Sequence, residues 1–123
     1  RPRRVGALDI VATRYGVEVQ AATQIALTKL DVLSYMDKIP VCIHYIVNGE
    51  KTDRFPFPTA LKDAKPVIVY FDGWKCDISK CKTWDELPEQ ARKYVEFIEK
   101  EIECPITYVS VGAERDSLIL RTK

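Results

Sequence analysis

Val41-Cys-Ile-His-Tyr-Ile-Val47, followed at once by Asn48-Gly49, decides the class of fold. The run is apolar or aromatic at nearly every position and rich in β-formers, which reads as a strand. Asn-Gly is the strongest short hairpin signal because both residues accept positive φ, so the chain should return as a second strand over Lys51–Phe55. Working outward, Pro66-Val-Ile-Val-Tyr-Phe71 reads as a further strand ended by Asp72-Gly73. Ile106–Val111 and Ser117–Leu120 read as two more, turning through Gly112–Asp116, and Ile25–Thr28 as a short buried one. Pro56, Pro58 and Pro66 punctuate the region between.

Two stretches carry helical periodicity instead. Leu8, Val11, Ala12, Tyr15 and Val19 follow the i, i+3, i+4, i+7 spacing, predicting an amphipathic helix over Gly6–Val19. Pro88-Glu-Gln opens a second helix whose apolar stripe is Ala91, Tyr94, Val95, Ile98 and Ile102. Proline at the first turn with acids after it suits a helix N-terminus. From Asp72 to Pro88 the chain is polar and turn-rich, with Trp74 and Trp84 as anchors. The expected fold is one α/β domain over residues 1–123, a mixed β-sheet with flanking helices.

Composition narrows the functional classes. A chain of 123 residues supports one hydrophobic core. With 19 Lys and Arg against 18 Asp and Glu, the net charge of +1 gives no bulk attraction to nucleic acid or membrane. No apolar run approaches the roughly 20 residues needed to span a bilayer. Arg1-Pro-Arg-Arg4, with no initiator Met and no signal peptide, reads as the interior of a longer chain. Cys76 and Cys81 form a C-x4-C pair, but Cys42 and the one histidine, His44, sit together in an apolar run, so no metal site is expected and the thiols read as reduced. His44, between Ile43 and Tyr45, reads as a packed histidine.

Thr28-Lys-Leu-Asp31 follows directly on a strand, where ligands sit in open α/β sheets. The Asp31 carboxylate only accepts hydrogen bonds, and guanine offers two donors side by side, N1–H and the exocyclic amine. The Lys29 stem can lie along a base face while its ammonium reaches nearby oxygens. Ser110-Val-Gly112 is a second strand end, whose glycine admits close backbone approach. Arg1, Arg3 and Arg4 form a cluster suited to carboxylates or phosphates. By themselves these pieces read more readily as a solvated loop, a simple hairpin turn and a solvated basic terminus. Nothing in the chain forms a phosphate-cradling glycine loop, a Ser/His/Asp set or a close carboxylate pair.

Taken in order, Arg1-Pro-Arg-Arg, Leu8-Asp9, Arg14-Tyr15, Ala26-Leu-Thr-Lys-Leu-Asp-Val-Leu33, Gly73-Trp74, Leu87-Pro88, Tyr94, Ile98-Glu99, Ser110-Val-Gly112 and Arg115-Asp116 resemble adenylosuccinate synthetase. The resemblance covers essentially the whole chain and implies the C-terminal part of a P-loop-like GTP-dependent ligase fold. It implies a parent enzyme, a cytoplasmic homodimer of purine biosynthesis, that joins IMP to L-aspartate with GTP and Mg2+. The γ-phosphate activates the 6-oxygen of IMP, and the aspartate amine displaces it. By this resemblance Arg1, Pro2 and Arg3 end the aspartate loop, Arg1 also contacts IMP, and Arg3 lies at the GTP side. Lys29, Leu30, Asp31, Ser110, Val111 and Gly112 would bracket the guanine. The catalytic residues and Mg2+ ligands would lie outside this chain, which would bind no cofactor by itself.

This sequence departs from the family pattern at Ala7 (usually Trp), Gln20-Ala21 (usually Asn-Gly), Asp72 (usually Pro) and Ala113-Glu114 (usually Pro-Asp). The alternative is a freestanding α/β binding domain of the same ancestry without catalysis. Either way, uncharged Val41–Val47 is the stretch expected to promote self-association.

Overall fold

The structure, a computed structural model, describes residues 6–56 and 58–121. Its elements run β1 (Leu8–Asp9), α1 (Ile10–Gln20), β2 (Ile25–Leu27), β3 (Lys38–Val47), β4 (Glu50–Thr52), α2 (Pro58–Leu61), β5 (Lys65–Asp72), α3 (Glu89–Ile102), β6 (Ile106–Ser110) and β7 (Leu118–Leu120). β3 is the spine of a four-stranded sheet. β5 lies antiparallel along one edge, from Lys38↔Asp72 to Ile46↔Lys65. The other edge takes β1, parallel at Leu8↔Val41, and β4, antiparallel at Val47↔Glu50. Asn48 and Gly49 have φ of 54° and 81°, the positive pair that a tight hairpin requires.

β3 contains a bulge. Cys42 pairs with Ile68 and His44 with Val67, so Ile43 is the extra residue. The insertion puts Tyr45 on the same face as Cys42, where both are buried with Val11 of α1. Ile39 and Val41 point the other way, into the main core. A strand buried on both faces reads as a continuous apolar run, which is why no alternation marked it. The expected self-associating stretch is therefore an interior strand paired on both edges, and its apolar character serves burial.

The mixed sheet expected from sequence is in fact two mixed sheets. The second has β6 at its centre, parallel to β2 (Leu27↔Val109) and antiparallel to β7 (Val109↔Ile119). β2 is its edge, so Ile25 and Leu27 are half-buried and Ala26 is exposed, unlike the buried strand expected. Strand patterns name elements but not partners, and sheet number follows from partners.

α3 joins the two sheets. All five residues of its predicted stripe are buried, in one cluster with Ile39 and Val41 of the first sheet and Ile106, Val109 and Ile119 of the second. Each large apolar side chain so buried contributes about 1.5–3 kcal/mol. Glu99 of α3 accepts hydrogen bonds from the Ile106 N–H at 2.8 Å and from Arg121 at 3.1 Å, and the Arg121 guanidinium lies 4.1 Å above the Trp84 ring. These contacts fix where β6 begins.

α1 starts later than its periodicity suggested, at Ile10, because Asp9 caps it. One Asp9 carboxylate oxygen accepts the Ala12 N–H at 3.0 Å and the other accepts the Tyr45 hydroxyl. Leu8–Asp9 form β1 instead. The helix ends at Ala21 with φ of 52°, a left-handed conformation that suits glycine, so the family's Asn-Gly has a physical reason here.

Tyr94 packs edge-on to Phe71 and near Trp74, and burial pushes its phenol up to about 12. Tyr45 is raised too, by burial and then by its bond to Asp9. An unfolded tyrosine titrates near pH ~10. Above that pH the unfolded chain holds fewer protons than the folded one, so stability falls as pH rises from about 10 to 12. Urea unfolding across this window should show that decline, and Tyr94→Phe should make it shallower. An unchanged slope would mean that Tyr94 does not titrate in this way.

Candidate functional site

Parallel pairing sends β2 and β6 out of the second sheet on the same edge. With Leu27 opposite Val109, the chain leaves β2 at Thr28 and β6 at Ser110, side by side. Lys29–Asp31 and Ser110–Gly112 lie some eighty positions apart in sequence and are neighbours here; β6 packs against the turn Leu30–Leu33.

Lys29 enters that turn, a short stretch of 3-10 helix, with φ of 61° and ψ of 32°. Its carbonyl accepts from the Val32 N–H at 3.2 Å, and the Asp31 carbonyl accepts from the Ser34 N–H at 3.1 Å. Leu30 is buried and pins the turn to the core, which leaves Lys29 exposed and Asp31 half-buried on either side. Among the described residues the Asp31 carboxylate has no hydrogen-bond or ion-pair partner.

The sequence marks Trp74 as an anchor, and what it anchors is the back of this turn. Trp74 donates its indole N–H to the Ser34 hydroxyl at 3.0 Å, and the Gly73 N–H donates to the Asp37 carbonyl at 2.9 Å. A Cβ on Gly73 would lie 1.8 Å from the Met36 carbonyl oxygen, so only glycine admits this approach. Gly73-Trp74 thus holds the far end of the segment that begins at Lys29. Asp72 before it pairs with Lys38, whose ammonium draws the Asp72 carboxyl below the usual carboxylate range.

At the second strand end the Ser110 hydroxyl donates to the Gly112 carbonyl at 3.0 Å, and the Val111 N–H donates to the Ser117 carbonyl at 2.9 Å. Val111 is buried. An apolar cavity of about 530 Å³ opens beside Lys29, lined also by Leu27, Tyr35, Met36 and Tyr94. Asp31 and Ser110–Gly112 are not in its lining, so the candidate base contacts form an open edge and not the wall of that cavity.

Arg1, Pro2 and Arg3, the expected aspartate, IMP and GTP contacts, lie outside the described residues. His44 is half-buried, and its Nδ1 has no partner among the described residues. Cys42, Cys76, Cys81 and Cys104 are free thiols. Among the described residues no three His, Cys, Asp or Glu side chains are grouped as a metal site would need. No helix among them is long and apolar enough to cross a membrane.

Residues 1–119 match the family described as adenylosuccinate synthetase. The chain belongs to the adenylosuccinate synthetase family. It is 41% identical over 122 residues to the adenylosuccinate synthetase of Schizosaccharomyces pombe, covering 98% of this chain and 28% of the relative. It is 47% identical over 121 residues to adenylosuccinate synthetase 2 of Pseudoalteromonas translucida, again covering 98% and 28%. The structure of fully ligated adenylosuccinate synthetase from Plasmodium falciparum superposes with a TM-score of 0.93 at 39% identity, over 99% of this chain and 30% of that one. The chain therefore spans under a third of the length of these synthetases. Its two sheets and connecting helices are a mixed α/β part of the synthetase fold.

Lys29 is one of five non-glycine residues at positive φ among the described residues, with Ala21, Asn48, Lys75 and Glu103. Lys29→Gly removes a left-handed penalty of about 1–2 kcal/mol and adds about 0.5–1 kcal/mol of chain entropy cost. Urea unfolding of the variant should show stability raised by about 0.5–1 kcal/mol. A loss of stability instead would show that packing of the lysine stem outweighs the backbone term.

Proposed function

We propose that this chain supplies the guanine-binding domain, residues 1–123, of a GTP-dependent ligase that joins IMP to L-aspartate in purine biosynthesis. The observation that carries the reading is the half-buried Asp31 carboxylate, without a described partner, where β2 and β6 end together. An acceptor-only group at such an edge calls for paired donors, and guanine's N1–H and exocyclic amine meet that need. Lys29 would lie along the base with its stem and set its ammonium towards oxygens nearby. Leu30 holds the pair in register by burial, and the Ser110–Gly112 backbone offers polar groups to the opposite edge of the base. Family membership over residues 1–119 supports the same assignment.

In the proposed reaction the γ-phosphoryl group passes from GTP to the 6-oxygen of IMP, leaving GDP. The aspartate amine then attacks C6, and inorganic phosphate departs with that oxygen. This chain's part is binding: Asp31, Lys29 and Ser110–Gly112 hold the base, so the triphosphate is presented at a fixed distance from IMP. Arg1 would pair with IMP and, with Arg3, with the aspartate carboxylates, Pro2 between them shaping the loop, while Arg3 would also reach GTP. By the same reading the Mg2+ ligands lie outside this chain, and the metal when bound would offset charge on the GTP phosphates. The parent enzyme is read as a cytoplasmic homodimer.

Two outcomes test the proposal. The chain alone, given IMP, aspartate, GTP and Mg2+, should form adenylosuccinate at background rate, because phosphoryl transfer needs phosphate-cradling amides and a positioned base that this sequence lacks. Turnover by the chain alone would overturn the assignment of roles. In the whole synthetase, Asp31→Asn keeps shape but replaces one acceptor oxygen with a donor. Hydrogen bonds to a charged acceptor contribute about 1.5–3 kcal/mol each, so the GTP KM should rise on the order of 100-fold. XTP carries a carbonyl where GTP has its amine, so the ratio of XTP to GTP efficiency should increase. A folded variant that uses GTP as well as the parent would remove Asp31 from the base site.

A further inference from the structure

We infer that Ser117, which lies outside the proposed base contacts, is a positioning residue that sets where the Ser110–Gly112 edge stands relative to Asp31. The inference rests on the guanine reading and adds to it what determines the geometry of its second half. Among the described residues Ser117 is the one polar residue that is buried, at 6% exposure. Both of its backbone groups are used locally. Its carbonyl accepts the Val111 N–H at 2.9 Å, and its N–H donates to the Glu114 carbonyl at 3.0 Å, closing the loop 111–117 on itself. Ile119, two residues on, is fully buried and pairs with Val109, which anchors the loop's return to β6.

The side chain then acts on Gly112. A Cβ on Gly112 would lie 2.8 Å from the Ser117 Oγ and 3.1 Å from the Ser117 Cβ. Gly112 is not among the residues at positive φ, so its backbone conformation does not demand glycine. Ser117 does. The hydroxyl fills the place where a side chain would start, so the two residues together define one close approach of the loop's legs. Val111 is buried with no exposed surface and Gly112 follows it directly, so a push at Gly112 is taken up by the outward side of the strand end, where Ser110 bonds the Gly112 carbonyl. The shift asked of the loop is a few tenths of an ångström, against a misplacement of about 1 Å that can cost on the order of 100-fold.

The experiment uses the whole synthetase, with circular dichroism and a thermal melt for each variant. Gly112→Ala should raise the GTP KM on the order of tenfold, by more than it lowers kcat, while the KM for IMP and for aspartate moves by less than about twofold. Adding Ser117→Gly to it removes both close contacts and should recover most of the lost GTP affinity. A packing defect unrelated to the base would not be rescued by a second truncation in the same core. Ser117→Ala alone removes only the hydroxyl, should fold, and should raise the GTP KM about threefold with kcat held. It keeps the test alive if Gly112→Ala does not fold. An unchanged GTP KM in folded Ser117→Ala and Gly112→Ala, or a double variant no better than Gly112→Ala, overturns the positioning role. Asp31→Asn, assayed alongside, separates the two levels. If it weakens GTP use while the Ser117 and Gly112 variants do not, only this inference fails. If it leaves GTP use intact, the guanine reading fails and the inference goes with it.

Discussion

Strands that run the same way cannot be joined by a hairpin, so β2 and β6 pair only after the chain has made a long crossover. That crossover contains three of the first sheet's four strands, β3, β4 and β5, and α3. The pairing is short, three residues on the β2 side, and cannot be held by its ladder alone. It is held by α3, whose stripe shares one core with both sheets, and by Glu99, which takes the first N–H of β6 and the Arg121 guanidinium together. Where β6 begins decides where it ends, and hence which residues face Lys29–Asp31 across the edge. Most of the described structure is a frame for that one register.

The two halves of the candidate site are made by different physics. On the β2 side a left-handed Lys29 and a buried Leu30 turn the chain sharply, and Gly73-Trp74 grips the segment from behind through Ser34 and Asp37. On the β6 side the loop closes on itself, with Ser117 supplying backbone bonds and bulk. Neither half depends on hydrogen bonds that the proposed ligand would have to break at Asp31. This is the condition for a preorganised acceptor, since a carboxylate already paired would have to be released before binding.

Three of the four departures from the family pattern lie at or just after the end of an element. Ala21 sits where a left-handed residue is required, Asp72 exchanges a rigid residue for an ion pair with Lys38, and Ala113-Glu114 lie in the loop that Ser117 closes. Each changes the local means of making a bend while leaving the bend in place. A TM-score of 0.93 at 39% identity is consistent with that, because backbone path is set by the core and by the few close approaches, not by each turn residue.

Periodicity, turn chemistry and residue type were enough to name most elements. The stripe of α3, the Asn48-Gly49 hairpin, and the strands at 41–47, 66–71 and 106–111 follow from local pattern because apolar spacing and positive φ are local properties. Motif order was enough to point to the family, and through it to Lys29, Asp31 and Gly112, which residue type alone left as loop and turn. Tertiary structure alone decided the rest. The division into two sheets, the bulge at Ile43 that turns Tyr45 towards Asp9, the capped start of α1, and the supports from Gly73, Trp74 and Ser117 all depend on which surfaces meet. A pattern within one strand states which face is apolar but not what lies against it. Contacts between residues distant in the chain are fixed only when the whole core closes.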